Sequence, residues 1–120
     1  MERLRRKNDL DRVFREGRRF SCPWAVLQAR GRTAEEQQAA GLRVAVVAAR
    51  GFPTAVARNR ARRLLRESCR VALGEAGGRW DLVLVARREV LSVPFAARVE
   101  ALSALLREAG VLGEKAAAAV

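Results

Sequence analysis

Two short apolar segments on either side of one long amphipathic segment constrain the fold of this chain more than any other feature. Residues 42–49 and 80–86 are rich in Val, Leu and Ala, as in strands that lie buried within a sheet. Residues 54–73 between them repeat apolar side chains at helical spacing, as in a long helix with Thr54 as its N-cap. This succession predicts a sheet with helices packed against it, a two-layer α/β sandwich.

Weaker patterns predict the N-terminal elements. A short helix is expected over residues 8–16, with Asn8 as its N-cap and Gly17 as its C′ residue. A strand is expected from residue 23 to about residue 29. Residues 31–41 form a polar loop in this interpretation, and the loop region could hold one further strand.

The C-terminal part completes the predicted order. Pro94 begins a last amphipathic helix that stops at Gly110, and residues 113–120 resemble a frayed tail. We expect a single domain over residues 1–112, because the sequence shows neither a repeat nor a linker. The expected fold class is α/β (α+β), with the order α-β-β-(β)-α-β-α and a central mixed sheet packed by helices.

The positive charge of the chain is large and concentrated. The 120 residues contain 24 Lys and Arg against 13 Asp and Glu, a net charge of +11, and all but two of the basic residues are Arg. Residues 1–19 and 58–70 together carry nine of these eleven net charges. Arginine pairs with phosphate through two nitrogens and stacks on bases, so the pattern indicates a polyanionic partner.

Residue types that many enzymes need are missing. The sequence has no His and no Tyr, which removes the usual general acid–base groups and the commonest zinc ligand. Cys22 and Cys69 show no metal-binding spacing, so we expect reduced thiols and a cytoplasmic protein. No apolar run reaches the length of a membrane span, and the basic N-terminus lacks the apolar core of a signal peptide.

The segment 54–73 separates its apolar and basic residues when it is drawn as a helix. The apolar stripe is expected to pack on the sheet and comprises Ala57, Ala61, Leu64, Leu65, Ser68, Val71 and Ala72. Four arginines recur at every fourth position on the opposite side. This arginine ridge consists of Arg58, Arg62, Arg66 and Arg70.

A ridge of this kind has a simple alternative explanation, a solvated surface helix. Surface helices normally mix charges of both signs, because like charges four residues apart repel by a few tenths of a kcal/mol. Here Glu67 alone offsets the arginines within the segment. The sequence therefore favours a helix whose charges are balanced by the phosphates of a nucleic acid.

The same segment carries a family resemblance. Residues 55–67 read AVARNRARRLLRE and resemble the RNR signature of bacterial ribonuclease P proteins, a KAVxRNRxKRLxRE-like string that follows a strand. Residues 10–17, 42–47 and 80–87 resemble that family's first helix, the strand before its signature and its DxVxxAR strand. The resemblance thus extends along nearly the whole chain.

The resemblance implies a fold and a division of labour. Members of the family have a left-handed βαβ crossover around the signature helix, whereas the general rule would predict a right-handed one. Their RNA subunit cleaves precursor tRNA with Mg²⁺, and the protein binds that RNA and the 5′ leader of the substrate. The chain would then be a subunit of an endoribonuclease, inactive and monomeric by itself, with Mg²⁺ held mainly by the RNA and with no DNA or membrane partner.

The resemblance also assigns residues to this role. The RNA-contacting face would comprise Arg58, Asn59, Arg60, Arg62, Arg63, Arg66 and Arg70, with Arg50 just before the signature. Asn59 is unfavourable within a helix, so it either holds a neighbouring arginine or a metal-linked water, or is a plain surface residue. No residue is assigned to catalysis or to a metal.

A leader-binding cleft would be lined by Phe14, Leu10 and Gln28. Phe14 matches a family aromatic that stacks on unpaired bases, although a Phe at helical spacing is often a core residue instead. Leu10 and Gln28 occupy positions that are aromatic in the family, which predicts weaker or redistributed leader contacts. Phe20 and Trp24 could compensate, but the alternation of the strand leaves their faces open.

Two other classes of protein compete with this interpretation. A ribosomal or ribosome-associated protein would share the charge and the size, but it would not account for a signature that lies in the family's register between two matching strands. A nonspecific DNA-binding protein fits less well, since no helix-turn-helix or β-ribbon arm is predicted.

Overall fold

The computed structural model describes residues 2–33 and 41–113. It contains five strands, which are β1 (Glu2–Arg3), β2 (Arg18–Cys22), β3 (Ala25–Gly31), β4 (Arg43–Ala48) and β5 (Trp80–Ala86). Its three α-helices are α1 (Lys7–Glu16), α2 (Ala55–Leu73) and α3 (Phe95–Glu108), and a 3₁₀ helix over Arg88–Ser92 precedes α3. None of the helices in these ranges is long and apolar enough to span a membrane.

The five strands form one mixed sheet in the order β1-β4-β5-β3-β2. β1, β4 and β5 are parallel, whereas β3 runs antiparallel to β5 and to β2. The segment from β4 through α2 to β5 is therefore the predicted βαβ crossover between adjacent parallel strands. The expected α+β class and the central mixed sheet are confirmed.

Successive side chains of a strand point to opposite faces of the sheet, and the central strands carry apolar side chains on both faces. Helices therefore cover both faces. On one face, α2 and α3 enclose the main core around Leu27, Leu65, Leu84 and Leu102. On the other face, α1 places Val13 in a smaller cluster with Leu4, Ala45 and Val83. The predicted sandwich thus gains a partial third layer, formed by α1.

Local sequence explains both ends of α2. The Thr54 side chain accepts a hydrogen bond of 3.0 Å from the backbone N–H of Ala57 and caps the N-terminus, as predicted. Gly74 has a φ of 55°, which favours glycine, and ends the helix. Val71 was expected in the buried stripe but is 53% exposed, so this prediction is wrong. Cys69 and Leu73 are buried near the end of the helix instead, because the packed stripe turns towards α3.

The N-terminal prediction needs two corrections. Helix α1 begins at Lys7 after Arg6, so Asn8 lies inside the helix and does not cap it. Gly17 ends α1 as predicted but has an ordinary φ of −77°. Glycine is required there by close approach, because a Cβ atom would lie 2.5 Å from the carbonyl oxygen of Val13 and 3.0 Å from that of Ala29.

Two strands were not predicted. β1 has only two residues, and β2 has mostly exposed, polar side chains that lack the apolar pattern of a strand. The possible strand within the loop at 31–41 lies mostly outside the described residues, as does the predicted tail.

Asp81 at the start of β5 organises one end of the sheet. Its carboxylate accepts hydrogen bonds of 2.7 Å from Arg32 and of 2.8 and 2.7 Å from Arg43, and Arg30 lies 3.9 Å away. Burial by itself would raise the pKa of Asp81, but the hydrogen bonds from Arg43 and Arg32 outweigh it and hold the pKa below its ordinary value. The ionised carboxylate is therefore part of the folded structure.

We expect Asp81→Asn to lower the free energy of unfolding at pH 7 by about 3–5 kcal/mol, since it leaves buried guanidinium groups without their counter-charge. The lowered pKa means that this stabilisation is present above about pH 4 and disappears as the pH falls further. Urea unfolding at several pH values should show the gap between wild type and variant narrowing below about pH 4. The matched control is Asp11→Asn, at an exposed residue of α1, which should change stability by less than about 0.5 kcal/mol at any of these pH values.

Candidate nucleic-acid interface

Helix α2 presents its arginines to solvent without counter-charges. Arg58, Arg60, Arg63 and Arg70 are exposed, and Arg62 and Arg66 are half-buried. Within residues 2–33 and 41–113, none of these six side chains forms a salt bridge. The protein's own described carboxylates therefore leave this surface positively charged.

The position of the ridge differs from the prediction in one respect. Arg62 and Arg66 were expected to lie fully opposite the packed stripe, yet both are partly covered. A helical wheel shows where a residue lies relative to the apolar residues of the same helix, but it does not show which part of the helix other elements cover. In the folded protein, Arg66 and Arg70 lie beside β4 and line a groove with Val44 and Val46, so this part of the ridge follows the flank of α2 along the sheet edge.

Asn59 has a clear contact. Its side-chain oxygen accepts a hydrogen bond from the guanidinium group of Arg62, one turn further along α2. The expectation that Asn59 holds a neighbouring arginine is confirmed. The contact holds one cation of the ridge in a fixed direction.

A second candidate surface lies on the face of the sheet that α1 covers only in part. Phe14 projects from α1 and is 46% exposed, although most large apolar side chains of the fold are buried. Gln28 is half-buried on β3 and pairs in register with Val83, whose side chain faces α1. Val26 and Val85 pair next to them along the same face. Apart from Gln28, these residues form an apolar strip bordered by one exposed aromatic ring.

Leu10 lies at the edge of this strip. It packs against the small cluster around Val13 and also lines the groove beside β4. Phe20 and Trp24 pack against the main core on the opposite face. They therefore cannot replace the aromatic rings that Leu10 and Gln28 lack.

The carboxyl ends of β4 and β5 hold an arginine cluster that the sequence interpretation recognised only through Arg50. Arg50, Arg87 and Arg88 line an open cavity of about 290 Å³ together with Ala49, Gly51 and Glu89. Parallel neighbouring strands bring their carboxyl ends to one edge, where α/β proteins commonly bind ligands. The Arg87-Arg88 pair directly after a predicted parallel strand was the signal that could have revealed this cluster.

A sequence model of the family described as Ribonuclease P matches residues 1–110. The chain belongs to the bacterial ribonuclease P protein family. The ribonuclease P protein component of Chloroflexus aurantiacus is 40% identical over 114 residues, which cover 92% of this chain and 78% of that protein. The corresponding protein of Paramagnetospirillum magneticum is 34% identical over 119 residues, with coverage of 98% and 90%.

Solved ribonuclease P proteins share the fold. The protein from Thermotoga maritima superimposes with a TM-score of 0.69 at 28% identity, covering 89% of this chain and 97% of that one. The Staphylococcus aureus protein gives a TM-score of 0.75 over 94% of this chain and 99% of that one, and at 18% identity it supports the fold alone. The predicted family and its connection with tRNA processing are thereby confirmed.

Within this ribonuclease P family member, Asn59 offers a test of the ridge. Asn59→Ala removes the contact with Arg62 but places a better helix former in α2, so the free energy of unfolding should change by less than about 0.5 kcal/mol. Affinity for a ribonuclease P RNA should nevertheless fall, because Arg62 loses its fixed direction. Urea unfolding and filter binding measure the two effects. Unchanged affinity would mean that the contact between Asn59 and Arg62 does not contribute to RNA binding.

Proposed function

We propose that this chain is the protein subunit of a ribonuclease P ribonucleoprotein. It would bind the catalytic RNA and the 5′ leader of precursor tRNA, and it would promote Mg²⁺-dependent endonucleolytic removal of the leader. The observation that carries the proposal is the set of six arginines on α2 that lack carboxylate partners within the described residues. The family's established role in tRNA 5′ processing supports it.

The arginine ridge supplies the contact with the catalytic RNA. α2 is held by Leu65 and other residues of the main core, so its cations keep their spacing when phosphates approach. Four guanidinium groups at every fourth residue extend over about 18 Å of helix. Binding releases counterions from the RNA, which favours association at low salt.

The leader would bind across the partly covered face of the sheet. Phe14 provides one stacking surface, and Val26 and Val85 provide an apolar floor. The cluster of Arg50, Arg87 and Arg88 at the carboxyl ends of the strands would bind leader phosphates. With fewer aromatic rings than the family pattern, the contact relies more on phosphates and less on bases.

The chemistry would belong to the RNA subunit. This sequence contains no His or Tyr that could serve as a general acid or base. Mg²⁺ would therefore be held mainly by the RNA, and the protein would act by binding and by lowering the electrostatic cost of bringing two RNAs together. On this proposal the protein is a monomer when free and acts in the cytoplasm.

Reconstitution tests the proposal directly. Adding the protein to a bacterial ribonuclease P RNA at low Mg²⁺ should restore cleavage of precursor tRNA at the mature 5′ end. Protein without RNA should not cleave. If the protein binds structured RNA yet never stimulates cleavage, the ribosome-associated alternative is favoured instead.

Salt dependence tests the ridge. If about six phosphates are contacted, log K against log salt should have a slope of magnitude roughly 4–5. Arg66→Ala should reduce this magnitude by about 0.7–0.9, the loss of one phosphate contact. Arg107→Ala removes the same charge from α3, outside the ridge, and should leave the slope nearly unchanged. A wild-type slope near 1 would contradict phosphate binding by the ridge.

Phe14 separates leader binding from RNA-subunit binding. Phe14→Ala should weaken binding of the holoenzyme to precursor tRNA by about 1–3 kcal/mol, the typical loss for one stacked base. Affinity for mature tRNA, which has no leader, should not change. Equal losses for both substrates would place Phe14 in the structural core.

A further inference from the structure

A groove runs between the C-terminal half of α2 and the outer edge of β4, with a cavity volume of about 620 Å³. Its apolar lining includes Leu42, Val44, Val46 and Leu73. This volume falls within the roughly 300–1,000 Å³ typical of pockets that bind small molecules. Arg66 and Arg70 of the ridge and Leu10 of the leader surface also line this groove, but the contacts proposed above leave its apolar lining unused.

The edge of β4 is only partly paired. β1 is two residues long, and the N–H groups of Glu2 and Leu4 donate to the carbonyl oxygens of Leu42 and Val44 at 2.9 and 2.8 Å. Backbone groups of a strand alternate between its two neighbours, so the next groups on this outer edge belong to Val46. Because β1 ends at Arg3 and does not reach that far, the N–H and C=O of Val46 face the groove.

The rim of the groove is basic. Arg66 and Arg70 contribute from α2 and Arg3 from β1, whereas Glu2 is the only acidic residue of the lining in the described part of the chain. None of these three arginines forms a salt bridge within that part. The groove therefore combines cations, an apolar wall and a backbone edge that can donate and accept hydrogen bonds.

We propose that this groove receives an unpaired nucleotide of the RNA that binds along the ridge. The phosphate would bind Arg66 and Arg70, the base would lie against Val46 and Leu73, and the polar edge of the base would meet the backbone of Val46. Unstacked bases are commonly recognised in this way, through apolar contacts and hydrogen bonds to their edges. The inference rests on the proposed function, because the ridge must bind RNA for the nucleotide to arrive.

Charge distinguishes this occupant from a protein segment. An extended peptide could also add to the edge of β4, but it would not need cations along one wall. Arg66 and Arg70 continue the row that begins with Arg58 and Arg62, so a polynucleotide that follows the ridge reaches the groove without leaving the basic surface.

Nuclear magnetic resonance with small probes tests the site itself. Adenosine 5′-monophosphate added to the ¹⁵N,¹³C-labelled protein should shift the amide signal of Val46 and the methyl signals of Leu73. Ribose 5-phosphate, which lacks the base, should shift only the guanidinium signals of Arg66 and Arg70. No shift at Val46 with the nucleotide, or a shift there only with a tetraglutamate peptide, would overturn the proposal.

A groove-filling variant tests the site in the complex. Ala76→Phe adds a ring at the half-buried rim and keeps every arginine, so it should weaken binding to a ribonuclease P RNA at least about fivefold while the salt slope stays the same. Ala97→Phe, at an exposed site on α3, is the matched control and should bind like wild type. If Ala76→Phe binds the RNA as tightly as wild type does, the nucleotide site in the groove is refuted and the proposed function is not. If the wild-type protein does not bind the RNA at all, the proposed function itself is refuted.

Discussion

The packing of Leu65 and Ala61 against the sheet holds together an array of like charges that an isolated helix would not tolerate. Arginines four residues apart destabilise a free helix by a few tenths of a kcal/mol per pair. Burying a Leu side chain contributes about 1.5–3 kcal/mol, so the apolar stripe of α2 outweighs this repulsion. Burial of the apolar stripe thus offsets the repulsion between the arginines, and their charges remain available to a partner. The arginine ridge and the groove beside β4 depend on that anchoring.

The chain uses arginine in two opposite ways. Arg32 and Arg43 are neutralised by Asp81 at one end of the sheet, where removal of a partner would leave buried charge. The arginines of α2 have no such partner in the described residues, and solvent or RNA must balance them. One-dimensional sequence does not distinguish these classes, because the contact between Asp81 and Arg43 joins two strands that are far apart along the chain. Net charge predicted a polyanion partner, but only the fold separates structural arginines from available ones.

What the sequence could predict follows from the range of the interactions involved. The buried strands, α2 and its Thr54 cap depend on local periodicity and on one side-chain hydrogen bond, and these predictions are confirmed. β1 is only two residues long and is defined by pairing with the distant strand β4, whereas β2 pairs with its neighbour β3 but carries mostly exposed polar side chains, so no apolar pattern marks either strand. The cluster of Arg50 with Arg87 and Arg88 likewise arises because parallel strands end at one edge. Charge and helical spacing predicted a polyanionic partner but did not identify it. The family signature indicated which polyanion to expect.

The proposed leader surface lacks aromatic rings at Leu10 and Gln28, and this would change which features of the leader it can distinguish. Stacking on aromatic rings is tolerant of base identity but requires unpaired bases, whereas phosphate contacts require neither a base nor an unpaired strand. Leu10 and Gln28 reduce the first kind of contact, and Phe20 and Trp24 cannot restore it because they face the main core. Arg87 and Arg88 preserve the second kind. On the proposed function, a surface of this composition would tolerate variation in leader sequence, and its affinity would depend more on salt than that of a surface built on several rings.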